Sequence, residues 1–269
     1  SSAASDVYKS QLNLLDEHGV FTACAGQFAG DHVYKVDEKV ICALEQVRSL
    51  VAQQTIHHSY AHCWRTKTPL IYRATPQWFI SMTEKDLLGS ALEAVKGVKW
   101  MPDWGEARIE LMLKGSPDWC VSRQRTWGVP LPVFYFPGED LPNIDAELAR
   151  EVADITEEGG TNLWFQHDDV WWAEKLGLPE GTRRCTDTLD VWIDSGSSHV
   201  AVMDRHPELS CPADLYLEAT DQHRGWFQSS LLTSVAINNH APYKEVLTHG
   251  FVVAEKGHKM SKSLGNTVS

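Results

Sequence analysis

The residues best suited to chemistry lie near the end of the chain. Lys259-Met260-Ser261-Lys262-Ser263, preceded by Lys256-Gly257-His258 and followed by Gly265-Asn266, sets two lysines among small hydroxyl residues on a glycine-flanked loop. Such a loop can fold over a polyphosphate: ammonium groups meet developing negative charge, while hydroxyls and amides complete the cradle. Taken alone, a short Lys/Ser run is a solvated loop about half the time. Two polar clusters within 45 residues upstream move the reading toward a nucleotide site. One is Glu218 followed by Asp221-Gln222-His223-Arg224-Gly225-Trp226-Phe227; the other is Thr248-His249-Gly250-Phe251-Val252. In each, polar groups emerge from an apolar run.

Those clusters need elements to hold them. Residues 214–218 and 245–250, the latter continued by 251–253, read as strands, and 225–237 as a helix. Upstream, 68–73, 77–80, 129–136 and 189–193 read as strands, and 84–96, 104–114 and about 144–154 as helices, with Gly115 as a stop signal. A helix over 37–53 would put Val40, Ala43, Leu44, Val47 and Leu50 on one face, and the glycine-punctuated 19–36 has a β-like alternation. Strands alternating with helices predict an α/β fold with a parallel sheet, whose ligands lie beyond the carboxyl ends of the strands. Glu218 to His223 occupies such a strand-to-helix turn.

Composition bounds the function classes. The chain has 269 residues, 24 Lys+Arg against 36 Asp+Glu and 43% apolar residues, which fits one or two globular domains. No stretch approaches the roughly 18 apolar residues of a membrane span, and no leader pattern opens the sequence, so a cytoplasmic protein is expected. Residues 137–190 hold fourteen acids and four bases; the acidity is local, and the remainder is free to handle an anionic substrate. Six scattered cysteines without a Cys-x-x-Cys pair predict neither disulfides nor zinc. His62-Cys63 is the sharpest metal candidate, against which a structural thiol is the stronger reading. The tryptophans at 64, 78, 100, 104, 119, 127 and 192 are expected as core anchors, and His57, His58 and His62 as polar filler. Asp194, Ser195 and His199 lack the glycine-framed elbow of a hydrolase triad.

Four runs then occur in order: Asp118-Trp119-Cys120-Val121-Ser122-Arg123-Gln124-Arg125-Thr126-Trp127-Gly128-Val129-Pro130, Asp190-Val191-Trp192-Ile193-Asp194-Ser195-Gly196-Ser197-Ser198, Asp221-Gln222-His223-Arg224-Gly225-Trp226-Phe227, and the Lys259–Ser263 loop. Together they resemble class I aminoacyl-tRNA synthetases, and the isoleucine-specific branch more than the valine or leucine ones. The resemblance is strong from about 56 to 136 and from 186 to 268, and weaker at the N-terminus. It implies the second half of a Rossmann-type parallel-sheet nucleotide-binding domain, with a β-rich tail of the editing insertion at the N-terminus. The implied division is 1–55 for that tail, 56–136 for the return into the catalytic domain, 137–187 for an acidic connective insertion and 188–269 for the catalytic domain with its lysine loop.

Site roles follow from the same resemblance, position by position. Lys262, assisted by Lys259, matches the contact to the ATP phosphates. Glu218 matches a contact to the aminoacyl-adenylate, through its ribose hydroxyls, while Gln222 and Trp226 match positions beside the amino-acid pocket. Asp221 has two readings, a ribose contact and a helix N-cap. His249, Gly250, Phe251 and Val252 match the stretch along the adenine. The implied substrates are isoleucine, ATP with Mg²⁺ as its complex, and the isoleucine tRNA, with a monomeric parent protein and no membrane or zinc. Arg123 and Arg125 read equally as a tRNA contact and as structural ion pairs.

Several departures qualify the resemblance. A His-x-Gly-His signature is missing from all 12 histidines, so the stretch alone is expected to be inactive, a part of a longer parent chain. The stretches that edit valine are missing too. Thr66 and Lys67 stand where some relatives have zinc-binding cysteines. Ala219 stands where glycine is usual, and would be strained if that position needs a positive φ. The rival readings are a non-catalytic synthetase-like tRNA-binding or interaction module and a valine-specific relative.

Overall fold

The computed structural model describes residues 13–63, 65–139, 141–254, 257–258, 260 and 265–267. The chain forms two units that meet in sequence between Pro76 and Gln77.

The first unit is built from turns and one helix. Gly19, Gly26 and Gly30 adopt positive φ, and they break the alternating 19–36 stretch into short 3₁₀ turns at Ala23–Phe28 and Val33–Lys35. Only isolated bridges remain of the β-like reading, Leu15 to Phe21 and Val20 to His32. Helix α1 (Asp37–Gln46) starts with Asp37 and Glu38 in its first turn, where carboxylates suit the helix dipole. It stops well short of residue 53, because Arg48 turns into the left-handed region and Leu44 and Val47 find no layer to pack on, remaining exposed. The strand expected at 68–73 does not form: Pro69 makes only a bridge to His62, and 65–72 are exposed, with no neighbouring strand among the described residues to satisfy the backbone.

The second unit is mixed α/β around a parallel sheet. Strand β1 (Phe79–Ile80) precedes α2 (Leu87–Lys96), β2 (Lys99–Met101), α3 (Trp104–Lys114), β3 (Trp119–Cys120), β4 (Ser122–Arg123) and β5 (Phe134–Tyr135). The acidic segment follows with α4 (Ala146–Gly159), α5 (Leu163–Gln166), α6 (Asp169–Leu176) and β6 (Arg183–Arg184). The chain then runs through β7 (Thr188–Leu189), α7 (Val191–Gly196), α8 (Ser198–Ala201), β8 (Ala213–Ala219), α9 (Trp226–Asn238) and β9 (Tyr243–His249). The sheet has the order β2-β9-β8, all parallel, with Trp100 and Tyr216 both opposite Val246.

One face of this sheet carries the core. Trp100, Tyr216, Tyr243 and Val246 meet Ala91 and Val95 of α2, Ile109 and Leu113 of α3, and Phe227 and Leu231 of α9. Two buried polar atoms on this face are satisfied locally: the Trp100 indole donates to the Val95 carbonyl (3.2 Å) and the Tyr243 hydroxyl to the Phe227 carbonyl (3.0 Å). Helix α9 is buried almost all round, and two of its hydroxyls turn back on their own helix, Ser230 to the Trp226 carbonyl (2.6 Å) and Thr233 to that of Ser229 (3.0 Å). On the opposite face Leu215 and Leu217 are exposed, although a parallel sheet is ordinarily covered on both sides.

The acidic segment builds a second, small core in which Leu148, Val152, Trp164 and Trp172 pack with Phe134 of β5. Its helices are capped by Asp145, which accepts from the Glu147 (2.7 Å) and Leu148 amides, and by Asp168, which accepts from that of Trp171 (2.9 Å). Three sequence expectations are corrected in this unit. The 129–136 strand shrinks to β5, since Pro130 and Pro132 cannot donate to a ladder. Residues 251–253 lie beyond the end of β9. The 189–193 strand gives way after Leu189, because the Asp190 carboxylate accepts from the Trp192 amide (3.3 Å) and starts α7; a short apolar run suits either element by its pattern alone.

Candidate functional site

The parallel register of β8 and β9 pairs Glu218 with Thr248 and Ala219 with His249. Both strands therefore release their polar clusters at the same, carboxyl end of the sheet. Glu218 is exposed there, its carboxylate accepting only from the neighbouring Ala219 amide (3.2 Å) among the described bonds. Ala219 has φ −76° and ψ 167°, ordinary extended backbone, so the strain expected of a non-glycine residue does not arise. His249 ends β9 with its Nδ1 against the Gly250 carbonyl (2.6 Å), and Gly250, Phe251 and Val252 continue along the surface, exposed.

Between β8 and α9 the chain makes a 3₁₀ turn over Thr220–Arg224. Asp221 is exposed and is not the N-cap of α9: that position is Gly225, and the acceptor for the Trp226 amide is the side-chain oxygen of Gln222 (2.9 Å). Gly225 is required by close approach, since a Cβ there would stand 2.5 Å from the Gln222 oxygen and 2.8 Å from the Trp192 ring. Trp226 is half-buried, stacked on Tyr216 at 4.0 Å between centroids and 8° between planes. Its indole N–H donates to the Ser195 carbonyl (2.9 Å) at the end of α7. His223, in the same turn, is buried between Trp100 and Trp104 with its Nδ1 against the Thr220 carbonyl (3.1 Å). Burial pushes its pKa down, which leaves the imidazole neutral near pH 7 and out of reach of solvent.

Arg123 makes a structural ion pair: its guanidinium pairs with Asp190 (2.9 Å) and donates to the carbonyls of Cys120 (2.8 Å) and Ser122 (2.7 Å). Of the tryptophans expected in the core, Trp100 is buried and Trp78 and Trp119 are partly so, while Trp104, Trp127 and Trp192 are exposed; Trp64 lies outside the described residues. Sequence reasoning missed the Asp190 anchor and the Tyr216–Trp226 stack. The first had a signal in Asp190 standing directly before an apolar run, as an N-cap does; the second had none. A cavity of about 460 Å³ opens between α9 and the paired strands β1 and β3, lined by Met82, Asp118, Trp119, Trp192, Arg224 and Leu232 among others. Glu218 and His249 are not part of its wall, so the expected nucleotide residues occupy the open end of the sheet rather than this cleft.

Lys259 and Lys262 lie outside the described residues, as do Ser261 and Ser263. Just before them, the Ala254 amide donates to the His258 carbonyl (2.8 Å) and Gly257 takes φ +76°. Among the described residues no three His, Cys, Asp or Glu side chains converge as a metal site. His62 Nδ1 faces the Tyr60 carbonyl (2.8 Å), and the Cys63 sulfur receives the Thr66 amide (3.5 Å). Ser195 bonds back to α7, and His199 is buried against Thr233 (3.1 Å), so Asp194, Ser195 and His199 do not form a triad. No helix among the described residues is long and apolar enough to cross a membrane.

Comparison with known proteins bears on what this arrangement does. The family described as tRNA synthetases class I (I, L, M and V) matches residues 8–269. The chain is 57% identical over 260 residues to the isoleucine–tRNA ligase of Saccharophagus degradans, covering 96% of this chain and 28% of that protein. The proteins of the same name from Teredinibacter turnerae and a Marinomonas species are 56% and 57% identical over the same length. The chain thus spans little more than a quarter of the length of these relatives.

Proposed function

The chain belongs to the class I tRNA synthetases of the isoleucine, leucine, methionine and valine group, and we propose that it is a stretch of a longer protein that joins isoleucine to its tRNA through isoleucyl-adenylate. Sequence agreement over nearly the whole chain with relatives named for that activity carries the reading. The placement of Glu218 beside the His249–Val252 stretch, at the carboxyl end of a parallel sheet, supports it.

In this proposal Glu218 accepts from the ribose hydroxyls, for which an ionised carboxylate, acceptor only, is suited; the exposed Asp221 assists. Backbone groups of His249, Gly250, Phe251 and Val252 read the adenine edge. Trp226, with one face on Tyr216, offers its remaining surface as an apolar wall for the amino acid, and Gln222, whose oxygen is committed to the helix, keeps its amide N–H groups for the substrate. Lys262, with Lys259, meets the phosphates. Mg²⁺ arrives as part of the MgATP substrate, held by phosphate oxygens rather than by a dedicated protein cage.

The isoleucine carboxylate oxygen attacks the α-phosphorus of ATP, and the bond to the bridging oxygen breaks, so that pyrophosphate leaves with the electron pair. The terminal ribose hydroxyl of the tRNA then attacks the acyl carbon, and AMP departs. The protein's contribution is orientation and cations set against the phosphates. Residues 1–55 are the end of an editing insertion and 137–187 a connective insertion; the parent is a cytoplasmic monomer, and the 269 residues alone do not turn over. Isoleucine-dependent ATP–pyrophosphate exchange by the intact parent tests the reading. Isoleucine should drive exchange well ahead of valine, and Glu218→Gln should lower kcat/KM on the order of 100-fold. Valine as the preferred substrate, or no amino-acid-dependent exchange, would sink it; exchange by the 269 residues alone would refute their inactivity.

A further inference from the structure

The Asp190 carboxylate is nearly inaccessible to solvent, with 6% of its side chain exposed, yet it is saturated with donors. One oxygen takes Arg123 Nη2 (2.9 Å) and the Trp119 indole N–H (3.1 Å), the other the Trp192 amide (3.3 Å). Its own amide donates to the Val121 carbonyl (2.7 Å). Arg123 is itself clamped to the carbonyls of Cys120 and Ser122. The start of α7 is therefore riveted to the β3–β4 segment, which pairs directly with β7 through Ser122–Leu189 and Arg123–Thr188.

The other end of α7 touches α9 with no slack. A Cβ on Gly196 would stand 3.0 Å from the Ser229 backbone, and the Gly196 carbonyl accepts from Thr233 (2.8 Å). One residue earlier, the Ser195 carbonyl accepts the Trp226 indole N–H (2.9 Å). Six residues of helix thus connect a buried, charge-assisted anchor to the polar edge of Trp226, and the Trp192 ring on the same helix closes on Gly225 beside Gln222. A rigid element held at both ends transmits any displacement of one end to the other.

We propose that Asp190, held by Arg123 and Trp119, is a positioning residue that sets the orientation of Trp226 through α7 and thereby tunes selection of the amino acid. This rests on the reading that Trp226 borders the amino-acid pocket. Asp190 meets no substrate; it acts through the Ser195 carbonyl. Asp190→Asn keeps the volume and an acceptor but loses the charge that holds Arg123, and Arg123→Lys keeps charge but loses the planar fork.

The test is ATP–pyrophosphate exchange by the intact parent protein carrying Asp190→Asn, Arg123→Lys or Trp119→Phe, with active sites counted by burst titration. For Asp190→Asn the KM for isoleucine should rise on the order of 10-fold, as misplacement by a fraction of an ångström does, and the isoleucine-to-valine ratio of kcat/KM should fall. The KM for ATP should change by less than about twofold. Arg123→Lys, which keeps the charge, should shift the same parameters less than Asp190→Asn does. Trp119→Phe, which removes one N–H and keeps the ring, should move the same parameters less, and it carries the test if the Asn variant does not fold. Unchanged isoleucine KM and unchanged selectivity in the folded variants, or equal rises in KM for isoleucine and ATP, would overturn the proposal while wild-type exchange still upheld the enzyme reading. A wild-type parent without isoleucine-dependent exchange would remove both.

Discussion

Leu44 and Leu231 are both helical leucines, Leu44 on the apolar face of α1 and Leu231 in a helix buried almost all round, and their situations are opposite. Leu44 of α1 is 37% exposed, whereas Leu231 of α9 is inaccessible. In the first unit Val36 is the one apolar side chain buried among the described residues; in the second, three helices and a sheet close over Ala91, Val95, Ile109, Leu113, Phe227 and Val246. The contrast teaches that a helical period specifies a face, while burial needs a second layer, and most helix stability comes from that layer rather than from propensity.

The comparison can be broken most sharply by truncation. Leu231→Ala should destabilise the second unit by about 2–5 kcal/mol, through lost burial and the cavity left behind. Leu44→Ala should stay within about 0.5 kcal/mol. Urea unfolding of the 269-residue chain, followed by tryptophan fluorescence and circular dichroism, measures both; similar costs at the two positions would mean that α1 has a partner layer after all.

A smaller effect should appear with pH in the second unit. Burial depresses the pKa values of both His199 and His223. Groups whose folded pKa lies below the unfolded value of about 6.5 contribute stability that is complete above that pH and is lost as the pH falls toward the folded values. Asp194 acts in the opposite sense: burial and then the nearby Asp190 raise its pKa, so it favours the fold as the pH drops through its own, more acidic range. Thermal unfolding should therefore move down by a few degrees between about pH 7.5 and 5.5. Replacing both histidines by glutamine should flatten that dependence, and a melting temperature that holds or rises over the same range would contradict the assignment.

The second unit was also the more legible in sequence, for the same physical reason. Helices α2, α3 and α9 end at Gly97, Gly115 and Asn239, residues that stop a helix in sequence as well as in structure, so local signals and tertiary packing agree. Residues 68–73 read as apolar enough for a strand but have no neighbouring strand to pair with among the described residues, and strand pairing cannot be read from one segment. At 191–193 the apolar run was compatible with either element, and the Asp190 cap with its distant Arg123 and Trp119 partners decided for helix. Of the candidate site, Glu218 and His249 were readable as residues at strand ends, and their adjacency followed once the sheet was parallel. That Gln222 spends its oxygen on the Trp226 amide, and that Trp226 lies on Tyr216, depend on three-dimensional packing which no spacing in the sequence encodes.

The central claim, that the carboxyl end of the β2-β9-β8 sheet is where the adenylate sits, is tested most directly by hydrogen exchange on the intact parent protein with and without a non-hydrolysable isoleucyl-adenylate analogue. Amides of 218–226 and 247–252 should gain protection on binding, and those of the acidic segment 137–187 should not. Protection confined to the acidic segment or to residues 13–76, with none at 218–226, would contradict the account.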